Sequence, residues 1–198
     1  MMNLAEYRRS ASRLADYLPW VALAAEGVVL NKDGSFQRTA RFRGPDLDSA
    51  VAAELVAVAG RINNAFRRLG SGWSIFVEAQ RHEAATYPDS VLPDPASGLV
   101  DAERKADFEE ASAHFVSGYY LTFLYLPPAE EAARAETWLY EGRERTGVDP
   151  QEILRTFTDR TGRVLALLDG FMPECAWLDD SETLTYLHST VSTKRHRV

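Results

Sequence analysis

The sequence predicts a mixed α+β domain, a mainly antiparallel sheet with helices packed on one face of it. Three observations carry that expectation. Asp33-Gly34 stands between an apolar run and a strand with one largely apolar and one polar face, which marks a β-hairpin. Two long segments, 48–69 and 149–170, repeat apolar residues at spacings of three and four, the period of a helix. Tyr119 to Leu126 is apolar on both alternating faces and closed by Pro127-Pro128, which suits a strand at the centre of a sheet.

In chain order, residues 4–17 form a short amphipathic helix, with Leu4, Tyr7, Leu14 and Tyr17 on one face and Pro19 as its stop. Leu18, Trp20 and Val21 then make an apolar patch that either packs back on the domain or receives a partner. The hairpin joins Val28–Leu30 to Phe36–Arg43 through a type I′ turn, which needs positive φ at both central residues. In its second strand Phe36, Arg38, Ala40 and Phe42 alternate with Gln37, Thr39, Arg41 and Arg43. The helix from Asp48, its N-cap, to Leu69 carries Val51, Leu55, Val58, Ile62, Phe66 and Leu69 as its stripe, and Gly70 ends it. A strand follows from Trp73 to Arg81.

Residues 83–98 hold Pro88, Pro93, Pro95 and Gly98 and are expected to be an irregular excursion. A charged helix over 101–114 leads to the central strand, 118–126, and residues 129–141 are helical by composition. Asp149 as N-cap, Pro150 as first helical residue and Glu152 open the second long helix, whose stripe is Ile153, Phe157, Val164 and Leu168. Cys175–Leu178 is a short strand. Asp180 or Ser181 caps a last helix carrying Leu184, Leu187, His188 and Val191.

A chain of 198 residues with 45% hydrophobic and 26% charged residues suits one folded domain and excludes wholesale disorder. A net charge of -7 disfavours nucleic acid as a partner, because phosphate binding needs clustered cations. A single cysteine, Cys175, excludes an internal disulfide, and Glu174 and Ala176 beside it give its thiol no basic neighbour. No run approaches the roughly 20 apolar residues needed to span a bilayer, so the expectation is a cytoplasmic protein.

Catalytic signatures are missing. There is no phosphate-binding G-x-x-x-x-G-K-[ST], no G-x-G-x-x-G and no G-x-S-x-G, and Gly70-Ser71-Gly72 reads as a turn. His82, His114, His188 and His196 lack a second ligand at metal-helix spacing. Asp179-Asp180 falls where a helix begins and reads as a cap. The expectation is no catalytic, cofactor or metal residue. Arg41, Arg43, Lys194, Arg195 and Arg197 form a candidate basic patch for the alternative of nucleic-acid contact. Tyr119, Tyr120, Phe123 and Tyr125 alternate as stacking residues do, but no cation interleaves with them, so they read as core.

Several strings together resemble a known family: Leu14-Ala-Asp-Tyr-Leu-Pro-Trp20, Gly27-Val-Val-Leu-Asn-Lys-Asp-Gly-Ser-Phe-Gln-Arg38, Phe42-Arg-Gly-Pro-Asp-Leu-Asp48 and Arg67-Arg-Leu-Gly-Ser-Gly-Trp73. Leu92-Pro-Asp-Pro-Ala-Ser97, Tyr119-Tyr-Leu-Thr-Phe-Leu-Tyr-Leu-Pro-Pro128 and Leu184-Thr-Tyr-Leu-His-Ser189 extend the match over nearly the whole chain. They resemble the N-terminal domain of the CagE/TrbE/VirB family of conjugal-transfer (type IV secretion) ATPases, the TrbE type most closely. The resemblance implies a non-catalytic N-terminal domain over 1–198, separated from the ATPase domain where ATP and magnesium would bind. It implies a role in docking and assembly of a motor that energises pilus assembly and DNA or protein transfer. The implied partners are inner-membrane subunits of the secretion system, its own ATPase domain and further copies of itself, at the inner membrane. The basic tail from Ser192 to Val198 reads as a cut site. Candidate partner contacts are Leu18, Trp20 and Val21, and Tyr87, Leu92 and Leu99 in the excursion.

Overall fold

The computed structural model describes residues 13–84, 87–110, 114–128 and 150–193. In chain order the elements are α1 (Leu14–Tyr17), β1 (Trp20–Ala25), β2 (Val28–Asn31), β3 (Phe36–Arg43) and α2 (Ala52–Phe66). They continue with β4 (Trp73–Glu83), α3 (Pro95–Glu110), β5 (Phe115–Tyr125), α4 (Pro150–Asp169), β6 (Glu174–Trp177) and α5 (Asp180–Val191). The strands make one antiparallel sheet in the order β1-β2-β3-β5-β4, with β6 also paired to β3. The α+β class and the central place of β5 follow the expectation. Helix over 4–12 and 129–141, the Asp149 cap and the tail 194–198 lie outside the described residues.

The hairpin forms, but not through a type I′ turn. Gly34 N–H donates to the Asn31 carbonyl at 3.0 Å and Asn31 N–H to the Ser35 carbonyl at 2.8 Å. Only Gly34, at φ 79°, is left-handed in this turn. Asp33 keeps an ordinary φ because its Oδ1 accepts from Ser35 N–H (3.0 Å) and Ser35 Oγ–H (2.6 Å), locking a three-residue loop with one left-handed glycine.

The apolar patch at Leu18 to Val21 leads into a strand, β1, not foreseen from the sequence. This strand pairs with β2 across a turn at Gly27, φ 64°. Its register slips between Trp20 and Ala22 and again between Leu23 and Ala25, and such bulges erase the alternation that marks a strand in sequence.

The sheet is covered on both faces, which corrects the expectation of helices on one. On the first face Ala40, Leu121 and Phe123 pack against Val164, Leu165 and Leu168 of α4 and Ala65 of α2. Val28, Leu30 and Phe36 continue that layer against Ile153 and Phe157 of α4, and Trp73 stacks on Phe157 at 5.6 Å. On the second face α5 seats Tyr186 and Leu187 over Val29, Leu178 and Tyr120. This second face is polar in sequence and therefore does not announce itself as core. Thr39 and Thr122 are buried with their hydroxyls 2.9 Å apart. Tyr186 Oη–H donates to Glu78 Oε2 at 2.8 Å, and Gln80 Nε2–H donates to Ser189 Oγ at 2.9 Å.

Several helix ends differ from the expectation. α2 starts at Ala52, where Glu54 Oε2 accepts from Val51 N–H at 2.9 Å. Asp48 lies in a turn instead, its N–H bonded to Asp46 Oδ1 at 3.0 Å. Val51 and Leu55 of the expected stripe are exposed, and the packed part of the helix is its second half. α5 is capped by Asp179, which accepts from Glu182 N–H at 2.7 Å. Asp180 bridges to Gly27 N–H at 2.7 Å. The buried face of α5 is Thr183, Tyr186 and Leu187, rotated away from the expected Leu184 and Val191, because the helix sits on the polar layer.

Candidate functional site

The apolar candidates before β2 differ in setting from those after β4. Trp20 is half-buried and packs with Val29, Leu178, Tyr186 and Leu187. Leu18 and Val21 are also half-buried. The edge is fixed by Lys32, whose backbone N–H donates to the Pro19 carbonyl at 2.7 Å and whose Nζ donates to the Ala15 carbonyl at 2.8 Å. Trp20 therefore serves the core beneath α5.

The excursion is organised where the sequence suggests irregular chain. β4 and β5 pair over eleven residues without a break in register, so residues 80–83 and 115–118 run on as a two-stranded ribbon beyond β3. Ala84 N–H donates to the His114 carbonyl at 2.7 Å and closes the ribbon's end. α3 starts at Pro95, not at 101. Asp94 Oδ2 accepts from Ser97 N–H at 3.0 Å and from Ser97 Oγ–H at 2.9 Å, a side-chain cap followed by proline at the first helical position. Hydrogen bonds from the Ser97 amide, then from its hydroxyl, hold the Asp94 carboxyl below its ordinary range.

One face of α3 is tied down. Tyr87 Oη–H donates to Asp101 Oδ1 at 2.7 Å, the Tyr87 ring meets Phe108 edge-on at 5.6 Å, and Phe108 stacks on His114 at 4.0 Å. Tyr87 is thus an anchor within the lobe. The opposite face is bare. Val91 is 101% exposed, Leu99 69%, Val100 50% and Leu92 40%, and no residue of α3 is buried. Leu92 and Leu99 are candidates by sequence. Val91 and Val100 join them only in the structure, and the Asp94-Pro95 pair is the sequence signal that places all four around a helix start.

Of the basic candidates, Arg41 and Arg43 lie among the described residues, both on β3. Arg41 Nε–H donates to Glu174 Oε1 at 2.6 Å and Nη1–H to Glu182 Oε1 at 3.4 Å. The bond to Glu174 holds the guanidinium proton more tightly still. Arg43 is exposed further along β3. Arg38 lies on the other face, half-buried, with its guanidinium 4.1 Å from the Trp177 ring centroid. Burial lowers its proton affinity, partly countered by Glu26. Lys194, Arg195 and Arg197 lie outside the described residues.

Among the described residues no group of three or more His, Cys, Asp or Glu side chains is placed to hold a metal ion. Cys175 is buried, and burial followed by the Asp169 charge pushes its thiol up to about 11. That is the opposite of an activated thiolate. Tyr120, Phe123 and Tyr125 pack against Tyr186, Phe66 and Trp73 as core, while Tyr119 lies against Phe42 and is part exposed. No helix among the described residues is long and apolar enough to cross a membrane.

The family description "Type IV secretion system ATPase VirB4/TrbE, N-terminal domain" matches residues 27–133. "Conjugal transfer protein TrbE" of Rhizobium radiobacter is 36% identical over 162 residues, 80% of this chain. The chain spans only 20% of the length of that relative. A probable conjugal transfer protein TrbE (first part) of Sinorhizobium fredii (strain NBRC 101917 / NGR234) is 37% identical over 139 residues, 69% of this chain and 93% of that protein.

Proposed function

The chain belongs to the VirB4/TrbE family of type IV secretion system ATPases, as its N-terminal domain, and from that premise we propose that it docks and assembles the motor on other parts of the secretion machinery. One observation supports the reading most: the lobe formed by residues 87–110 carries bare apolar side chains on a helix that contributes nothing to the core. Contiguous exposed apolar surface on a folded domain is a mark of protein contact.

In this reading the whole protein hydrolyses ATP to energise pilus assembly and transfer of DNA or protein. The nucleotide and its magnesium bind in a C-terminal domain, and this chain contributes placement. It sits peripherally at the inner membrane through its partners, its own ATPase domain and further copies of itself. Contact with transferred DNA is the weaker alternative, since Arg41, its central cation, is already committed to Glu174 and Glu182.

The test is recruitment. Purified chain is mixed with inner-membrane vesicles from cells that carry the transfer machinery and from cells that lack it. Docking predicts co-sedimentation with the first only, and no ATP hydrolysis by the chain alone. Equal sedimentation with both vesicle types, or with neither, overturns the docking reading.

A further inference from the structure

We propose that the outer face of α3, with Val91 and Leu92 just before it, docks a basic amphipathic helical segment of a partner protein. The inference rests on the docking reading and specifies the chemistry of the docked segment.

The site is first an apolar face. Leu99 and Val100 lie in the second turn of α3, and Val91 and Leu92 come just before Pro93 and the Asp94 cap, so four exposed apolar side chains fall within residues 91–100, around one helix start. The partner's charge is read from the next turns of the same helix. Glu103 is four residues after Leu99, Asp107 four after Glu103 and Glu110 three after Asp107, spacings that keep all three on the face of Leu99 and Val100. All three are exposed, while Asp101, Lys105 and Phe108 turn inward.

The whole lobe is acidic. Between Tyr87 and Glu110 there are seven carboxylates and two cations, a net of five negative charges in a chain whose total is -7. Of the two cations, Lys105 faces Asp89 at 3.4 Å, and exposed Arg104, four residues after Val100, flanks the three carboxylates. The last turn of α3 has no basic residue, although Glu109 and Glu110 stand there. A partner helix with leucine-like residues over Leu99 and Val100 and Lys or Arg over Glu103, Asp107 and Glu110 satisfies both halves of the face.

A bilayer fits less well. The cytoplasmic leaflet is anionic and repels an acidic lobe. The cytoplasmic flanks of membrane-spanning helices are rich in Lys and Arg. A segment of that kind joins the chemistry of this face to a partner held in the inner membrane.

The experiment uses the full chain and a fluorescein-labelled helical peptide of leucine and lysine at amphipathic spacing, read by anisotropy. A second peptide replaces each lysine by glutamate, and vesicles of phosphatidylcholine and phosphatidylglycerol test the lipid alternative. The expected result is binding of the lysine peptide alone, weakening as salt rises. Two variants are required: Glu103→Lys with Asp107→Lys and Glu110→Lys, and Leu99→Ser with Val100→Ser. These positions are exposed, so both variants are expected to keep the wild-type circular dichroism, and each should weaken binding by about tenfold or more. Unchanged affinity in either correctly folded variant, no binding by the wild type, or preference for the vesicles overturns the proposal. In the vesicle recruitment assay the charge-reversed chain separates the two claims. Recruitment that persists in it sinks this inference and leaves docking intact. If recruitment fails for the wild type while peptide binding follows the variants, docking falls and the recognition chemistry stands.

Discussion

Gly27 joins parts of the chain that are far apart in sequence. Its φ is 64°, its N–H donates to Asp180 Oδ1 at 2.7 Å, and the Leu178 carbonyl oxygen occupies the place a Cβ would take. A side chain there meets a left-handed penalty of about 1–2 kcal/mol and a backbone contact that cannot swing aside. Gly27→Ala is therefore expected to lower stability by about 2 kcal/mol or more, read from the urea midpoint; an unchanged midpoint would mean that the β1–β2 turn moves freely against the start of α5. Tyr186 makes a prediction in pH. Burial, above all, pushes its phenol from 10.0 up to about 12. The unfolded chain releases this proton above pH 10 while the folded chain keeps it, so the unfolded state binds fewer protons and stability falls as pH rises from about 10 to about 12. In Tyr186→Phe that fall should shrink, at the cost of the hydrogen bond to Glu78. Identical alkaline profiles for the two proteins would contradict the burial of this hydroxyl.

At the scale of the element, one sequence device speaks clearly in one helix and not in another. Asp149-Pro150 reads as cap and first helical residue because a strong apolar stripe comes after it, and the described part of α4 is helical from Pro150 onward. Asp94-Pro95 reads as a breaker because Ala96 to Gly98 show no stripe, yet α3 starts there. A helix held by Tyr87 through Asp101 and Phe108, and by His114 at the ribbon's end, has no need of a stripe, so periodicity cannot reveal it. Its start should respond to acid. The Asp94 carboxyl is held below its ordinary value by the Ser97 amide and hydroxyl, so the cap is fully formed above that value and is lost as pH falls through the lowered one. Exchange of the Ser97 and Gly98 amides is expected to quicken over that acid range, and Asp94→Ala should be fast at every pH; protection that ignores both would mean α3 does not begin there. The hairpin, α4 and β5 are legible because their signals are local: a turn glycine, a stripe, an apolar run. β1 is not, since its bulges break alternation. The second face is not, since buried Thr39 and Thr122 look like surface until Tyr186 is placed over them. Of the candidate site, Leu92 and Leu99 are readable as exposed apolar residues, but the acidic face behind them needs the true helix start to fix which side chains stand together.

Across the whole molecule, packing and exposure are divided unequally along the sheet. The half near β2 and α4 is sealed, with Phe36, Phe123 and Phe157 fully or almost fully buried. Toward the far end β4 is, among the described residues, the last strand of the sheet order, eleven residues long, and its first half, Trp73 to Val77, has no charge, proline or bulge to blunt it. Phe76 and Val77, at its middle and on opposite faces, are 55% and 67% exposed. Natural edge strands of this length are guarded by charge, proline or a twist, because an open row of N–H and C=O groups pairs with any available strand. The chain is thus expected to gain mass with concentration in solution, and Val77→Lys, which sets a charge at the centre of that edge without touching the core, should hold it monomeric at the same concentrations. Light scattering of the two proteins decides the matter. If both grow alike, self-association runs through another surface, and the bare α3 face becomes the place to look; if both stay monomeric, the edge is shielded in solution and the lobe is left as the principal apolar surface open to a partner.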